Sequence, residues 1–292
     1  MSSYTIKDLE KISGIKAHTI RIWEQRYQFL QPQRTETNIR TYSADELKTI
    51  LNVSLLNKYG FKISHIDKMS AAQMEEKIFS LTQLEAQKER VVNNLIKEMV
   101  SLNMLHFEKQ LDLYIAQQGI EKTIIEIIFP FLERVGILWV TNHINPAQEH
   151  LASNIIRQKI ILGIEKLPPV LHDTKRIALF MPEGEYHELG LLFVHYLLKQ
   201  KGVYVDYLGS SVPFVDIEYL INHCKVPYLY CHLTSPLKNF KINQFFEQVG
   251  TLSSQAQIKV SGQLAQLYKG KLAPGIQILT NLGQVMEFIA MF

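Results

Sequence analysis

Residues 176–190 of the chain have the sequence RIALFMPEGEYHELG, and this stretch decides the fold of the C-terminal part. The apolar run from Ile177 to Met181 is bounded by turn residues and predicts a buried β-strand. The apolar residues that begin at Leu191 predict a helix. The string between them, Glu-x-His-x-x-Gly at residues 185–190, therefore follows the carboxyl end of a strand, where open α/β sheets bind ligands.

The three fixed residues of this string, Glu185, His187 and Gly190, suit a ligand that contains a metal. A neutral imidazole at His187 can donate a lone pair to a metal, and Glu185 can hydrogen-bond the other ring nitrogen and fix the tautomer. Gly190 lets a large ligand approach the backbone. A histidine beside a helix is more often an ordinary polar residue, so the hypothesis depends on the spacing and on the strand end.

The string resembles the signature of cobalamin-binding domains. The resemblance implies that His187 is the lower axial ligand of the cobalt and displaces the vitamin's own base. Glu185 stands where an aspartate is more usual, and its longer side chain still reaches the imidazole. The displaced tail of the cofactor is then expected to enter the crevice at the strand ends.

Two further sequence motifs of that family are only partly present. Cys231-His232-Leu233 stands in place of Ser-x-Leu, and Ser261-Gly262 stands in place of Gly-Gly. The replacements are small, so room for the tail is expected to survive. Thr234 or Ser235 is a candidate to replace the lost serine hydroxyl. Cys231 as a redox nucleophile is an alternative, but a small buried strand residue is the favoured interpretation.

Strand and helix patterns alternate over residues 174–292, which predicts a parallel, doubly wound, flavodoxin-like sheet. The predicted strands are Ile177–Met181, Val203–Leu208, Tyr228–Leu233, Ile258–Ser261 and Ile276–Leu279. The predicted helices are Glu188–Gln200, Phe214–His223, Lys238–Gly250, Gln263–Tyr268 and Leu282–Phe292.

The N-terminal residues predict short helices separated by turns. Thr5 is the predicted N-cap of a helix that ends near Ile12, and a second helix is predicted from Ala17 or His18 to Tyr27. This is the layout of a helix-turn-helix, whose second helix enters the major groove of DNA. A basic, turn-rich segment at residues 32–42 is then expected to form a wing, and residues 43–46 indicate a capping box for a helix up to Tyr59.

The words TIRIWE at residues 19–24, PQRT at residues 32–35 and RTYS at residues 40–43 resemble the winged-helix domain of MerR-family regulators. The resemblance implies a dimer that binds a double-stranded DNA operator. Ile20 and Trp23 are expected in the small core, and a merely solvated face of the second helix ranks as the alternative. By position, the resemblance assigns DNA contacts to Thr19, Arg21 and Arg26 on the recognition helix and to Arg34, Arg40 and Tyr42 on the wing.

Residues 71–170 have the apolar spacing of consecutive helices, which suits an all-α, four-helix bundle. The first of these helices is a candidate linker or dimerisation helix, as in MerR relatives. The predicted helices are Met74–Leu81, Leu84–Leu102, Leu105–Gln118, Glu121–Val140 and Pro146–Leu167.

Trp139, followed after nine residues by Glu149-His150, resembles the helical cap of the cobalamin photoreceptors related to CarH and LitR. The resemblance implies adenosylcobalamin as the cofactor, with Trp139 against the adenosyl group and Glu149 and His150 nearby. In that family a histidine directly after the tryptophan becomes the upper cobalt ligand after photolysis. Val140 occupies this position here, and His143 is not assumed to substitute, so a sensor that does not respond to light stays open.

The composition is that of a globular chain, with 47% hydrophobic residues, 20% charged residues and a net charge of +3. Residues 1–68 hold 11 Lys or Arg against 7 Asp or Glu, a local net charge of +4 that suggests a polyanionic partner. Cys224 and Cys231 form no disulfide framework or metal cluster, which fits a reducing cytoplasm. Neither secretion nor membrane insertion is expected, because no long apolar segment occurs.

The sequence therefore predicts three domains, a winged-helix domain at residues 1–72, a helical bundle at residues 73–170 and a cobalamin-binding sheet domain at residues 171–292. The leading hypothesis is a transcriptional repressor that adenosylcobalamin assembles into a dimer or tetramer on DNA and that light releases. A light-independent cobalamin sensor is the first alternative. A corrinoid methyl carrier is the second, although the winged helix and the lack of a substrate domain favour a regulator over an enzyme.

Overall fold

The computed structural model describes residues 4–35, 38–79, 84–140, 144–170, 175–234 and 240–292. The chain forms two compact units, Met1–Ile155 and Ile156–Phe292. The division falls inside the last helix of the predicted bundle, and the three predicted domain ranges stay a prediction. His143 and Ser235, which the sequence raised as candidates, lie outside the described residues.

The N-terminal part of the first unit contains helices α1 (Ile6–Ser13) and α2 (Ala17–Arg26), strands β1 (Gln33–Arg34) and β2 (Arg40–Thr41), and helices α3 (Ala44–Lys58) and α4 (Ile63–Ile66). The two strands pair antiparallel, so the segment after α2 is a short hairpin. Ser43 caps α3 in a reciprocal capping box with Glu46, as predicted. Gly14 ends α1 with φ +73°, a left-handed conformation that glycine adopts without strain.

The helix-turn-helix closes over a small apolar core. Ile20 is fully buried and Trp23 is 9% exposed, which confirms that both pack inward. Burial of these side chains holds α2 in place and leaves its opposite face to solvent. Other core residues of this part are Tyr4, Leu9, Ile12, Leu30, Tyr42, Leu47, Ile50 and Leu56.

The rest of the first unit is helical, as predicted. The elements are α5 (Ala71–Phe79), α6 (Leu84–Val100), α7 (Met104–Gln118), α8 (Ile120–Thr123), a π-helical turn (Ile124–Ile128), α9 (Phe129–Val140) and α10 (Pro146–Glu165). The predicted helix Glu121–Val140 is thus one helical run interrupted by a π turn. The run packs on α6 and α7 through Phe107 and Phe131, whose ring centroids lie 5.4 Å apart.

The second unit contains a five-stranded parallel sheet in the order β4-β3-β5-β6-β7, which confirms the predicted doubly wound fold. Its elements are β3 (Arg176–Pro182), α11 (Leu189–Gln200), β4 (Tyr204–Val212), α12 (Phe214–Cys224), β5 (Tyr228–His232), α13 (Ile242–Thr251), β6 (Gln257–Ser261), β7 (Ile276–Leu279) and α14 (Leu282–Ala290).

One predicted helix, Gln263–Tyr268, is wrong. The chain there forms only a 3₁₀ turn over Ala265–Leu267. The N–H of Leu264 is held 3.1 Å from the carbonyl oxygen of Leu233, so the segment is tied to the end of β5 before a helix can begin. The connection to β7 continues as an irregular loop.

The two faces of the sheet have different coverings, because successive strand residues point to opposite sides. One face packs against α12 and α13 and includes Phe180, Leu229, Cys231 and Val260. On the other face, Tyr230 of β5 stacks on Phe288 of α14 with ring centroids 6.1 Å apart. Among the described residues, no helix combines the length and the apolarity that crossing a membrane requires.

Candidate functional site

The loop between β3 and α11 is organised by the carboxylate of Glu185, which is fully buried. Its Oε1 atom accepts hydrogen bonds from the main-chain N–H groups of Tyr186 at 3.0 Å and His187 at 3.1 Å. Its Oε2 atom accepts from the N–H of Thr234, beyond the end of β5, at 2.9 Å. A single side chain therefore ties the loop after β3 to the end of the adjacent strand.

The same carboxylate orients the imidazole of His187. Oε1 of Glu185 lies 2.7 Å from Nδ1 of His187. Because an ionised carboxylate only accepts, Nδ1 carries the hydrogen and Nε2 carries the lone pair of the neutral ring. The side chain is 49% exposed, so a large ligand can reach the ring. This is the arrangement of a metal-binding histidine whose other nitrogen is held by a carboxylate.

The end of β5 adds a second feature that fits a polar ligand. The hydroxyl oxygen of Thr234 is buried and finds no hydrogen-bond partner among the described residues. A buried polar group without a partner costs free energy, on the order of 1–3 kcal/mol. A polar group of a ligand at this strand end would satisfy it, so the chemistry of Glu185, His187 and Thr234 suits a ligand that carries a metal and polar groups.

Residues that the sequence did not single out support the loop from the other side. Glu188, which precedes α11, accepts a hydrogen bond from the hydroxyl of Tyr207 at 2.8 Å. The Nε of Arg157, on α10, lies 2.5 Å from the other carboxylate oxygen of Glu188. Burial and the nearby carboxylate raise the pKa of Tyr207, so its hydroxyl remains a donor. The histidine loop is thereby ion-paired to the helix that leaves the bundle.

At the strand ends, His232 rather than Cys231 faces α11. Nδ1 of His232 lies 2.7 Å from the hydroxyl oxygen of Ser261, and that oxygen is also 2.6 Å from the hydroxyl of Tyr230. A Cβ atom added to Gly190 would lie 2.6 Å from Nε2 of His232. The small residues Gly190 and Ser261 therefore border two larger side chains, and the expected room for a tail is filled.

Cys231 and Leu233 point into the opposite core, where both are fully buried. Burial raises the pKa of the Cys231 thiol, so it stays protonated and unreactive, in agreement with the structural interpretation. Gly262 has φ +99°, and a Cβ atom there would lie 2.1 Å from the carbonyl oxygen of Leu233. This glycine is required by the close approach of two backbone segments of the chain itself.

Stability of the second unit is expected to fall as the pH drops below neutral. Burial lowers the pKa of His232 to about 4, and burial likewise lowers the pKa of His195 to about 4. An unfolded histidine has a pKa near 6.5, so the unfolded chain binds more protons between these values and gains stability as the pH falls. Each histidine is expected to cost about 2 kcal/mol of folding stability at pH 5 relative to neutral pH.

The measurement is thermal unfolding by circular dichroism near pH 7 and near pH 5. The melting temperature of the wild type should be lower near pH 5 than near pH 7. This decrease should be smaller in the His195→Leu variant, because the leucine does not titrate. His195 stacks on Tyr207 with centroids 5.0 Å apart, a contact that leucine partly preserves. Equal falls in the two proteins would remove His195 as a cause.

In the first unit, Trp139 lies near the end of α9 with 54% of its surface exposed. Glu149 and His150 lie in the first turns of α10 and contact each other, with Oε2 of Glu149 at 2.8 Å from Nδ1 of His150. The imidazole of His150 is 71% exposed. The indole of Trp139 and the imidazole of His150 are thus exposed at the two ends of one connection, with the partly exposed carboxylate of Glu149 beside the imidazole.

The predicted DNA-contacting residues divide into surface and internal positions. Arg21 and Arg26 are exposed on α2, Thr19 is partly buried, and the Arg34 guanidinium donates to the side-chain oxygen of Asn38 at 2.7 Å. Arg21 and Arg26 therefore give the second helix an exposed basic surface.

Arg40, which is partly exposed, and Tyr42, which is buried, both bind Glu24. The Nε of Arg40 donates to the carboxylate of Glu24 at 2.7 Å, and the hydroxyl of Tyr42 donates to the same carboxylate at 3.3 Å. The hydrogen bond to Glu24 raises the pKa of Arg40 further. Tyr42 is only 1% exposed, so its ring lies in the small core of this domain, and its predicted contact with DNA stays a prediction.

Comparison with known proteins gives two family matches. Residues 4–73 match the MerR HTH family regulatory protein, and residues 89–162 match a B12 binding domain. The first range covers the helix-turn-helix and hairpin, and the second covers the helices from α6 into α10.

Two curated relatives come from Myxococcus xanthus. The HTH-type transcriptional repressor CarH is 28% identical over 221 residues, which span 74% of this chain and 73% of the relative. The HTH-type transcriptional repressor CarA is 29% identical over 215 residues, which span 73% of this chain and 70% of the relative.

Among solved structures, the monomethylamine corrinoid protein of Methanosarcina barkeri is 13% identical with a TM-score of 0.56. The match covers 70% of this chain and 100% of the corrinoid protein. This last similarity concerns the fold.

Proposed function

We propose that this chain, a homologue of the CarH and CarA repressors with a MerR helix-turn-helix and a B12 binding segment, is a transcriptional regulator whose DNA binding is controlled by cobalamin. The finer proposal is repression in the presence of adenosylcobalamin, within a dimer or tetramer. Light is proposed as a second input. The observation that carries the proposal is the buried Glu185 carboxylate holding an accessible His187 at the end of β3.

The residues proposed to hold the cofactor lie at the strand ends and on the helical cap. Nε2 of His187 is proposed to bind cobalt, and the hydroxyl of Thr234 is proposed to bind a polar group of the corrinoid. Trp139, Glu149 and His150 are proposed to contact the upper ligand. When bound, the cofactor supplies a cobalt–carbon bond that light can break.

Control of DNA binding requires that the cofactor binds one conformation of the protein better than another. Helix α10 supports such a connection, because it begins with Glu149 and His150 and further along carries Arg157, which pairs with Glu188 beside His187. A change in the position of His187 is thus passed to a rigid helix by an ion pair. We propose that α10 transmits the effect of cofactor binding to the DNA-binding part of the chain.

DNA binding is proposed to use Arg21, Arg26 and Arg34 as phosphate or base contacts, with Thr19 at the edge of the recognition helix. Arg40 and Tyr42 are proposed to act indirectly, by fixing the hairpin on Glu24. Self-association into a dimer places two such helices in successive half-sites of an operator.

Replacing Arg21 or Arg26 by alanine is expected to weaken DNA binding without changing cofactor binding. Each contact with a phosphate contributes about one unit to the slope of log affinity against log salt, and a dimer loses the contact in both protomers, so each variant should have a slope smaller by roughly 2. Fluorescence anisotropy with promoter DNA at several salt concentrations measures the slope. Lys201→Ala, which removes an exposed charge from the other unit, is the matched control. An unchanged slope in both arginine variants would remove α2 from the DNA interface.

The proposed function is tested by a gel shift of promoter DNA with apoprotein and with adenosylcobalamin-loaded protein, each in the dark and after green light. The proposal expects binding that depends on the cofactor and is lost after illumination. Binding that depends on the cofactor but not on light would establish the light-independent sensor, which the valine at position 140 permits. Binding that is indifferent to both would contradict control by cobalamin.

A further inference from the structure

The crevice between β5, β6 and α11 is closed by one side chain, the imidazole of His232. On one side its Nδ1 is 2.7 Å from the hydroxyl oxygen of Ser261 in β6. On the other side its Nε2 faces Gly190 so closely that a single added methyl group would lie 2.6 Å away. The ring therefore spans the whole width of the crevice from the sheet to the helix.

The layer beneath His232 is also filled. Tyr230, two residues earlier on the same face of β5, is 1% exposed and lies 2.6 Å from the Ser261 hydroxyl through its own hydroxyl. Its ring stacks on Phe288 of α14. An aromatic ring needs about 3.5 Å of clearance on each face, and the His232 position offers none. A ligand group can enter only if His232 moves.

His232 is able to move, because its side chain is only partly buried at the mouth of the crevice and a hydrogen bond to Ser261 holds it. Tyr230 and Ser261 are buried. Rotation of His232 toward solvent breaks that hydrogen bond but leaves Tyr230 and Ser261 bonded to each other. The imidazole thus closes the crevice reversibly, whereas Tyr230 and Ser261 beneath it keep their positions.

We propose that His232 sets the selectivity of this site for the lower part of the corrinoid. While the imidazole contacts Ser261 and Gly190, the site accepts a corrinoid that lacks a nucleotide base. A corrinoid that carries a nucleotide base binds only after the side chain of His232 has left the crevice. This inference rests on the proposed function, since it presumes that a corrinoid binds at His187. It goes beyond that function by naming the residue that discriminates between two classes of corrinoid.

The test compares equilibrium binding of adenosylcobalamin and of adenosylcobinamide, which has the same ring and upper ligand but no nucleotide base. Wild-type protein is expected to bind the cobinamide at least as tightly as the cobalamin. His232→Ala should tighten cobalamin binding about tenfold, the equivalent of one hydrogen bond that no longer has to be broken, and should change cobinamide binding less than about twofold. His223→Ala, an exposed histidine on α12, is the control and should change neither.

A cobalamin affinity that is unchanged or weaker in His232→Ala would overturn the inference and leave the proposed function intact. Failure of the wild type to bind either corrinoid would overturn both. His232→Ser, which keeps a small hydrogen-bonding group, guards against misfolding and should behave as the alanine variant does.

The closure of the crevice by His232 can also be tested in the apoprotein, by its effect on the melting temperature. Gly190→Ala should lower the melting temperature of the apoprotein by roughly 5 °C, because the new methyl group overlaps His232. In the His232→Ala background the same substitution should cost almost nothing, since the crevice is then open. Equal losses in the two backgrounds would show that His232 does not fill the space beside Gly190, and the inference would fail.

Discussion

Replacement of His187 by alanine is expected to lower the affinity for adenosylcobalamin by more than about 100-fold. Loss of a residue that merely supports a metal ligand commonly costs about 10–100-fold, and loss of the ligand itself should cost more. Nε2 of His187 carries the lone pair because Glu185 holds the other nitrogen. Isothermal titration of the apoprotein with the cofactor measures the change.

The control for this prediction is His223→Ala, which removes an exposed imidazole from α12 and should bind as the wild type does. Because the His187 side chain is 49% exposed, its removal should leave the melting temperature of the apoprotein nearly unchanged. A His187→Ala protein that folds and binds within about threefold of the wild type would contradict axial ligation by this residue.

The second large effect is expected at Glu185, this time on stability. Glu185→Ala removes a fully buried carboxylate and leaves the N–H groups of Tyr186, His187 and Thr234 without this acceptor. Hydrogen bonds to a charged acceptor contribute about 1.5–3 kcal/mol each, and partial rehydration offsets some of the loss. We expect the variant to lose about 3 kcal/mol of folding stability, or roughly 10 °C in melting temperature.

Two comparisons make the Glu185 prediction specific. Glu183→Ala removes an exposed carboxylate two residues earlier in the same loop and should lower the melting temperature by less than about 2 °C. Glu185→Gln keeps one acceptor oxygen but no longer fixes the tautomer of His187, so it should fold and yet bind cobalamin about 10–100-fold more weakly. A Glu185→Ala protein as stable as Glu183→Ala would contradict the organising role of this carboxylate.

Local patterns in the sequence predicted the parts of the fold that depend on neighbouring residues. The apolar run before Pro182 identified β3, the Ser43 and Glu46 pair identified the start of α3, and Pro146 identified the start of α10. The pairing of Glu185 with His187 was also predictable, because only one residue lies between them and the turn brings the groups together. In each case the determining interaction lies within a few positions of the chain.

The register of the site on β5 was not predictable in the same way. Alternate residues of a strand face opposite sides of the sheet. Similarity to a short sequence motif therefore does not determine whether the side chain of Cys231 or that of His232 packs against α11. The structure turns Cys231 toward α12 and α13 and His232 toward Gly190. A polar residue beside a cysteine in an otherwise apolar strand was the available signal.

Contacts between distant residues account for the other differences. Arg40 and Tyr42 bind Glu24, which lies 16 and 18 residues away, and their roles as DNA contacts stay a prediction. Arg157 reaches Glu188 across 31 residues. Charge and position in the sequence indicate a polar residue, but its partner follows only from the packing of helices and strands.

The central claim is that the imidazole of His187 binds the cobalt in place of the vitamin's own base. Electron paramagnetic resonance of protein loaded with cob(II)alamin tests it, because the axial nitrogen splits the cobalt signal. Ordinary nitrogen gives triplets, and protein made with histidine labelled in the heavy nitrogen isotope should give doublets that vanish in His187→Ala. Triplets that persist in the labelled wild-type protein would mean that the vitamin keeps its own base on the metal, and would contradict the account.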